Sequence, residues 1–164
     1  MLRLTVIFAL ALVRTGISQD LSGQVFLIAE QFNDDKCEVV ADCDCCGTEL
    51  FFVSDKKFVF VSRCLSGDSY LSGTYSLKMN KLTLTFGKKY LAEVVDDDYN
   101  VTQYKTKLAK VDKVEFDVKQ CAQKTRLTHP TTADWKNGIR YEHADEKTKT
   151  KELLASKPFK LLSN

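Results

Sequence analysis

The sequence predicts a mainly β chain that folds as one antiparallel β-barrel with a short helical C-terminal part. Three observations carry this. Apolar residues recur with period two through most of the chain, turn-forming residues separate the apolar segments at fairly regular intervals, and helical periodicity is confined to about the last fifty residues. Eight or nine short strands in such a series argue for a closed or nearly closed barrel, because closure removes exposed strand edges.

The elements follow in order. Met1-Leu2-Arg3 is a short positive start, residues 4–13 are an apolar run, and Gly16-Ile17-Ser18 puts small residues at the −3 and −1 positions of a cleavage site before Gln19. Residues 1–18 are therefore expected to be a signal peptide, leaving residues 19–164 as one secreted or periplasmic domain. That length buries a sizeable core. A bilayer needs about twenty apolar residues and no stretch approaches this, so no membrane span is expected after cleavage.

Residues 24–29 read as the first strand. The runs 50–53 and 58–61 are almost continuously apolar and are separated by Ser54-Asp55-Lys56-Lys57, as expected of a deeply buried hairpin. Residues 70–75 lead into a second hairpin with Asn80-Lys81 as its turn: Met79 then faces Leu82, Leu77 faces Leu84 and Tyr75 faces Phe86 on one side, with Lys78–Thr83 and Ser76–Thr85 on the other. Residues 90–95 and 99–104 are further strands, and Val114, Phe116 and Val118 alternate with charged residues in a half-exposed one. After His129 the texture changes. Thr131 or Thr132 is expected to cap a helical turn ending near Asn137-Gly138, residues 145–155 form a polar helix, and Pro158 introduces a terminal extended piece over 159–162.

Removing the signal takes away Arg3 and Arg14 and leaves 22 basic against 22 acidic residues. A net charge of zero does not support a nucleic-acid binder. The charge is segregated, with −6 over residues 19–104 and +6 over 105–164. This is either a dipole or two halves that neutralise each other across paired strands.

Cys37, Cys43, Cys45, Cys46, Cys64 and Cys121 all lie in the domain. An even count in an exported chain argues for disulfides, with fifteen possible pairings of which sequence cannot choose one. Cys45 and Cys46 are adjacent, so each is expected to reach a different partner, with Cys64 and Cys121 as distant candidates. The alternative is a soft-metal site on Cys43, Cys45 and Cys46. Their spacings of one and zero do not fit a tetrahedral zinc site, and no metal or other cofactor is expected.

Catalytic signals are scarce. His129 and His143 lie in no motif with a nucleophile, and adjacent Glu142 and His143 point apart if they lie on a strand. In Asp96-Asp97-Asp98-Tyr99-Asn100 the first three oxygen positions of a calcium loop are matched, but Val101 stands where glycine is needed and Lys107 where glutamate is needed. A solvated hairpin tip explains the run with fewer assumptions. Asn100-Val101-Thr102 is also an N-glycosylation triplet.

The early Gly23, the succession of hairpins, the segment Gly73-Thr74-Tyr75-Ser76-Leu77 running through Asn80-Lys81 into Leu82-Thr83-Leu84, and a late helix together resemble the small lipocalin-like barrels that bacteria export. The resemblance covers residues 22–120. It departs where lipocalins usually carry tryptophan two residues after the early glycine: this chain has Val25, and its single tryptophan is Trp135. The resemblance implies a barrel whose interior holds one small apolar molecule, with Phe52, Phe58, Phe60, Tyr75 and Phe86 as candidate lining residues. The same aromatics fill a dry core equally well. The expected function is a non-enzymatic binding protein for a small apolar ligand. The alternative is an envelope interaction module with a filled core that meets a protein partner through its acidic cysteine loop or basic C-terminal segment.

Overall fold

The computed structural model describes residues 20–40, 46–129 and 136–162. Eight strands close into an up-and-down antiparallel barrel: β1 (Val25–Ala29), β4 (Cys46–Phe52), β5 (Lys57–Cys64), β6 (Ser69–Lys78), β7 (Lys81–Phe86), β10 (Lys113–Cys121), β11 (Lys124–Thr128) and β12 (Asn137–Arg140). Each pairs with the next, and β12 returns to β1. Two hairpins are inserted, β2 (Gln31–Asn33) with β3 (Glu38–Val40), and β8 (Lys89–Val95) with β9 (Val101–Leu108). Helices α1 (His143–Ala155) and α2 (Lys157–Leu162) follow. This architecture is compatible with a lipocalin-like fold.

The continuous apolar runs of β4 and β5 are explained by burial on both faces. Leu50, Phe52, Phe58 and Phe60 point into the barrel with Phe26, Leu82, Leu84, Phe86, Val114, Phe116 and Leu127. The intervening Phe51, Val59 and Val61 face outward, where Leu153 of α1 and Phe159 and Leu162 of α2 pack on them. One face of each strand thus builds the inner core and the other seats the helices.

One end of the barrel, called lower here, lies at the loop joining β4 to β5. There a turn over residues 21–24 buries Leu21 completely in the inner cluster and hydrogen-bonds Gly23 N–H to Phe52 O at 2.7 Å. Gly23 has φ +79°, a left-handed conformation that glycine adopts without a Cβ penalty. Gly73 is required by packing: a Cβ there would lie 2.2 Å from the backbone oxygen of Thr85.

The sequence-based hairpin register is corrected by two residues. Lys78 pairs with Lys81, Leu77 with Leu82, Tyr75 with Leu84 and Gly73 with Phe86, so the turn is Met79-Asn80. Met79 takes φ +54° and is 95% exposed. Lys81 is drawn into the strand, where it opposes Asp117 of β10 and pairs with it at 2.5 Å, while Asn80 O accepts the backbone N–H of Val118. A slip of two keeps every side chain on its expected face.

Other expectations are also revised. Residues 157–162 are helical, not extended: Ser156 Oγ accepts the Phe159 N–H, and Pro158 sits in the first turn, where its missing donor costs nothing. Asn137-Gly138 opens strand β12 instead of ending a helix. The polar helix begins at His143, and the strand expected over 99–104 runs from Val101 to Leu108. The proposed cap at Thr131 or Thr132 lies outside the described residues.

Two disulfides join Cys37 to Cys121 and Cys46 to Cys64. The second links paired positions on β4 and β5, while the first ties the β2–β3 turn to β10. Cys43 and Cys45 lie outside the described residues. Such bridges belong to an oxidising extracellular or periplasmic environment.

Candidate ligand site at the barrel mouth

The inward alternation that fills the barrel changes character toward the end opposite Leu21. On β5 the series Phe58, Phe60 continues to Ser62, and on β6 Ser69 and Leu71 stand directly across from Ser62 and Phe60. Over them pass Tyr90 of β8 and the segment 108–111 that leaves β9. Together these residues line a cavity of about 430 Å³, with Phe60, Leu71, Leu108 and Val111 as its apolar surface and Ser62, Ser69, Tyr90 and Lys110 as its polar groups. Among the described residues no carboxylate lines it. The volume falls within the range of small-molecule sites. Hydroxyls and an ammonium beside an apolar wall suit a molecule with an apolar body and a hydrogen-bond-accepting end.

The five aromatic residues expected to line a ligand site all lie in the barrel, in two edge-to-face groups. Phe60 lines the mouth cavity, Phe86 packs behind it at 5.9 Å, and Phe58 meets Phe86 at 5.1 Å. Phe52 and Tyr75 lie at the lower end, 4.7 Å apart, with Phe26 beyond Phe52 at 5.8 Å. The Tyr75 hydroxyl donates to Ser54 O in the β4–β5 loop, and burial, with the charges of Asp20 and Asp55, pushes its pKa up to about 12. Tyr90, Leu108 and Val111 carried no ligand signal in the sequence. They come from the β8–β9 insertion, and only tertiary structure lays that insertion beside the mouth.

Polar contacts fix the insertion in place. Asp68, between β5 and β6, accepts from Cys64 N–H at 3.2 Å and from Arg63 Nη1 at 3.1 Å. Glu93 of β8 accepts the Asp68 N–H at 3.0 Å, and the Tyr70 hydroxyl lies 3.2 Å from both carboxylates. Burial, then the nearby Asp68 and Glu93, raises the Tyr70 pKa, keeping the phenol a neutral donor. Only two residue pairs, Ser69–Ala92 and Tyr70–Leu91, join β8 to β6.

On the outer wall, buried Glu49 accepts from Lys149 at 2.5 Å, Arg63 at 2.8 Å and Tyr141 at 3.2 Å. Glu146, which is 1% exposed, accepts from Arg140 Nε at 2.7 Å, Arg140 Nη2 at 2.8 Å and the Val25 N–H at 3.1 Å. These contacts hold α1, which carries little apolar surface inward. A larger groove of about 570 Å³ lies along α1 between Gly23 and Leu154. It opens on the outer surface, and among the described residues no inner-barrel side chain lines it.

His129 stacks edge-on against Phe116 at 5.7 Å, and His143 opens α1 with its side chain exposed, 3.7 Å from Glu146. The acidic run forms the β8–β9 tip: Asp96 Oδ1 accepts the backbone N–H groups of Asp98 and Asn100. Among the described residues no group of three His, Cys, Asp or Glu side chains is placed to hold a metal, and no helix is long and apolar enough to cross a membrane. No family model, curated protein or solved structure matches the chain.

Proposed function

We propose that the chain is a secreted or periplasmic, non-enzymatic binding protein that holds one small, mainly apolar molecule at the mouth of its barrel. The observation that supports this best is the mouth cavity, where inward-facing Phe60 and Leu71 meet the donors Ser62, Ser69, Tyr90 and Lys110. The apolar body of the ligand packs on Phe60 and Leu71, and its acceptor end meets the hydroxyls and Lys110. Titration with a naphthalene dye whose emission rises in apolar surroundings tests it. Saturable binding should be abolished by Leu71→Arg, which places a charge on the cavity wall, and kept by Leu154→Arg in the α1 groove. The reverse pattern moves the site to α1, and no saturable binding removes the proposal.

The alternative remains a partner-binding module with a filled core, for which the sequence suggests the acidic cysteine loop or the basic C-terminal segment; strand β9 adds a further surface to it. Among the described residues this strand ends the sheet and is exposed at seven of its eight positions, so its edge can take an extended segment of another protein.

A further inference from the structure

We propose that Asn100 is an N-glycosylation site and that its glycan guards the free edge of the β8–β9 hairpin. The triplet Asn100-Val101-Thr102 has the acceptor pattern. Its place in the fold supplies three further arguments. Asn100 is exposed at the outer tip of the inserted hairpin, and the tip does not depend on its side chain: Asp96 Oδ1 holds the turn through the backbone N–H groups of Asp98 at 3.0 Å and Asn100 at 2.8 Å, whereas the Asn100 amide reaches that oxygen at 3.4 Å. A sugar on Nδ2 therefore leaves the turn intact.

The residues on either side, Tyr99 and Val101, are 65% and 43% exposed, and an attached sugar covers this small apolar surface. The third argument is the edge itself. Beyond β9 no described strand follows, and an exposed edge of this length is a template for pairing with other chains. A bulky hydrophilic group at the start of the strand blocks that approach, while Lys105 and Lys107 discourage it further along. The two disulfides fit the oxidising compartment in which the transfer takes place.

In the transfer the side-chain amide nitrogen of Asn100 attacks C1 of a lipid-linked oligosaccharide. The N–C bond forms as the C–O bond to the lipid diphosphate breaks, and the proton lost from the amide nitrogen ends on the departing lipid diphosphate. Asn100 precedes β9 by one residue, and the eight residue steps from it to Leu108 at the mouth span roughly 26 Å. The inference thus rests on secretion through a compartment that holds this oligosaccharide donor and not on the ligand site, and either can fail alone.

The full chain, secreted with its own signal from cultured eukaryotic cells, should be weighed before and after treatment with peptide N-glycosidase, beside Asn100→Gln and Thr102→Ser. The expected wild-type protein exceeds its polypeptide mass, and the enzyme removes the excess. Asn100→Gln lacks the excess, and Thr102→Ser, which keeps the hydroxyl that donates to Val94 O, retains it. A secreted wild type at bare polypeptide mass, or sugar that persists in Asn100→Gln, overturns the assignment. Light scattering on the folded protein, deglycosylated by the enzyme, should show self-association that the glycosylated form lacks; two identical monomers would overturn the guarding role.

Discussion

Glu49 shows how a single carboxylate can hold an element that apolar contacts alone would hold poorly. Its side chain is 4% exposed, and it anchors Lys149 of α1 and Arg63 of β5. Burial by itself would raise its pKa, but the hydrogen bonds and charges of Lys149 and Arg63 outweigh it and hold the carboxyl below its ordinary range. A lowered folded-state value contributes stability in full above the ordinary carboxylate value of about 4.3, and that stability is lost as pH falls through the folded value. Acidification below about pH 4 should therefore lower the thermal midpoint of the wild type more than that of Glu49→Gln. At neutral pH Glu49→Gln should cost about 1–3 kcal/mol in denaturant unfolding, less than for a fully buried pair because Arg63 and Lys149 are partly exposed. Tyr75 gives a second reading at this scale: one phenol should ionise near pH 12 in an ultraviolet titration and be missing from Tyr75→Phe.

At the scale of elements, the β6–β7 hairpin makes its register testable. Ser76→Cys with Thr83→Cys should cross-link, since these positions pair directly, whereas Ser76→Cys with Thr85→Cys should not. The opposite result would restore Asn80-Lys81 as the turn. Leu84 is completely buried, and Leu84→Ala should cost about 2–5 kcal/mol. The hairpin and its inward face were legible because Leu77, Leu82, Leu84 and Phe86 alternate strictly. The turn was not, because Lys81 is drawn into the strand by Asp117, a partner 36 residues away in sequence. Strands β11 and β12 give little sequence signal for a related reason: Lys124–Thr128 and Asn137–Arg140 carry few apolar residues, and β11 fully buries only Thr125 and Leu127. Residues 157–162 are not legible as a helix because Pro158 signals a stop in sequence, whereas after Ser156 it sits in the first turn of one.

For the molecule as a whole, the alternation of a mainly β chain is enough to anticipate barrel closure, although two of the strands it predicts, β8 and β9, lie outside the barrel wall. The mouth cavity was only partly legible: Phe60 is among the aromatics singled out from sequence, while Tyr90 and residues 108–111 reach it through an insertion whose position depends on the Asp68–Glu93–Tyr70 contacts. The disulfides bear on the molecule's stability through the lengths of chain they close. Cys37–Cys121 spans 84 residues and Cys46–Cys64 spans 18, so loop entropy predicts that replacing the first pair by alanine costs more, by about 1.4 kcal/mol. Denaturant midpoints of the two double variants measure this. The most direct test of the ligand-binding account is native mass spectrometry of the protein recovered from the medium or periplasm of its own source, beside Leu71→Arg prepared the same way. The account predicts a bound organic mass on the wild type and a bare protein for the variant; a bare wild type, or a ligand retained by Leu71→Arg, would contradict it.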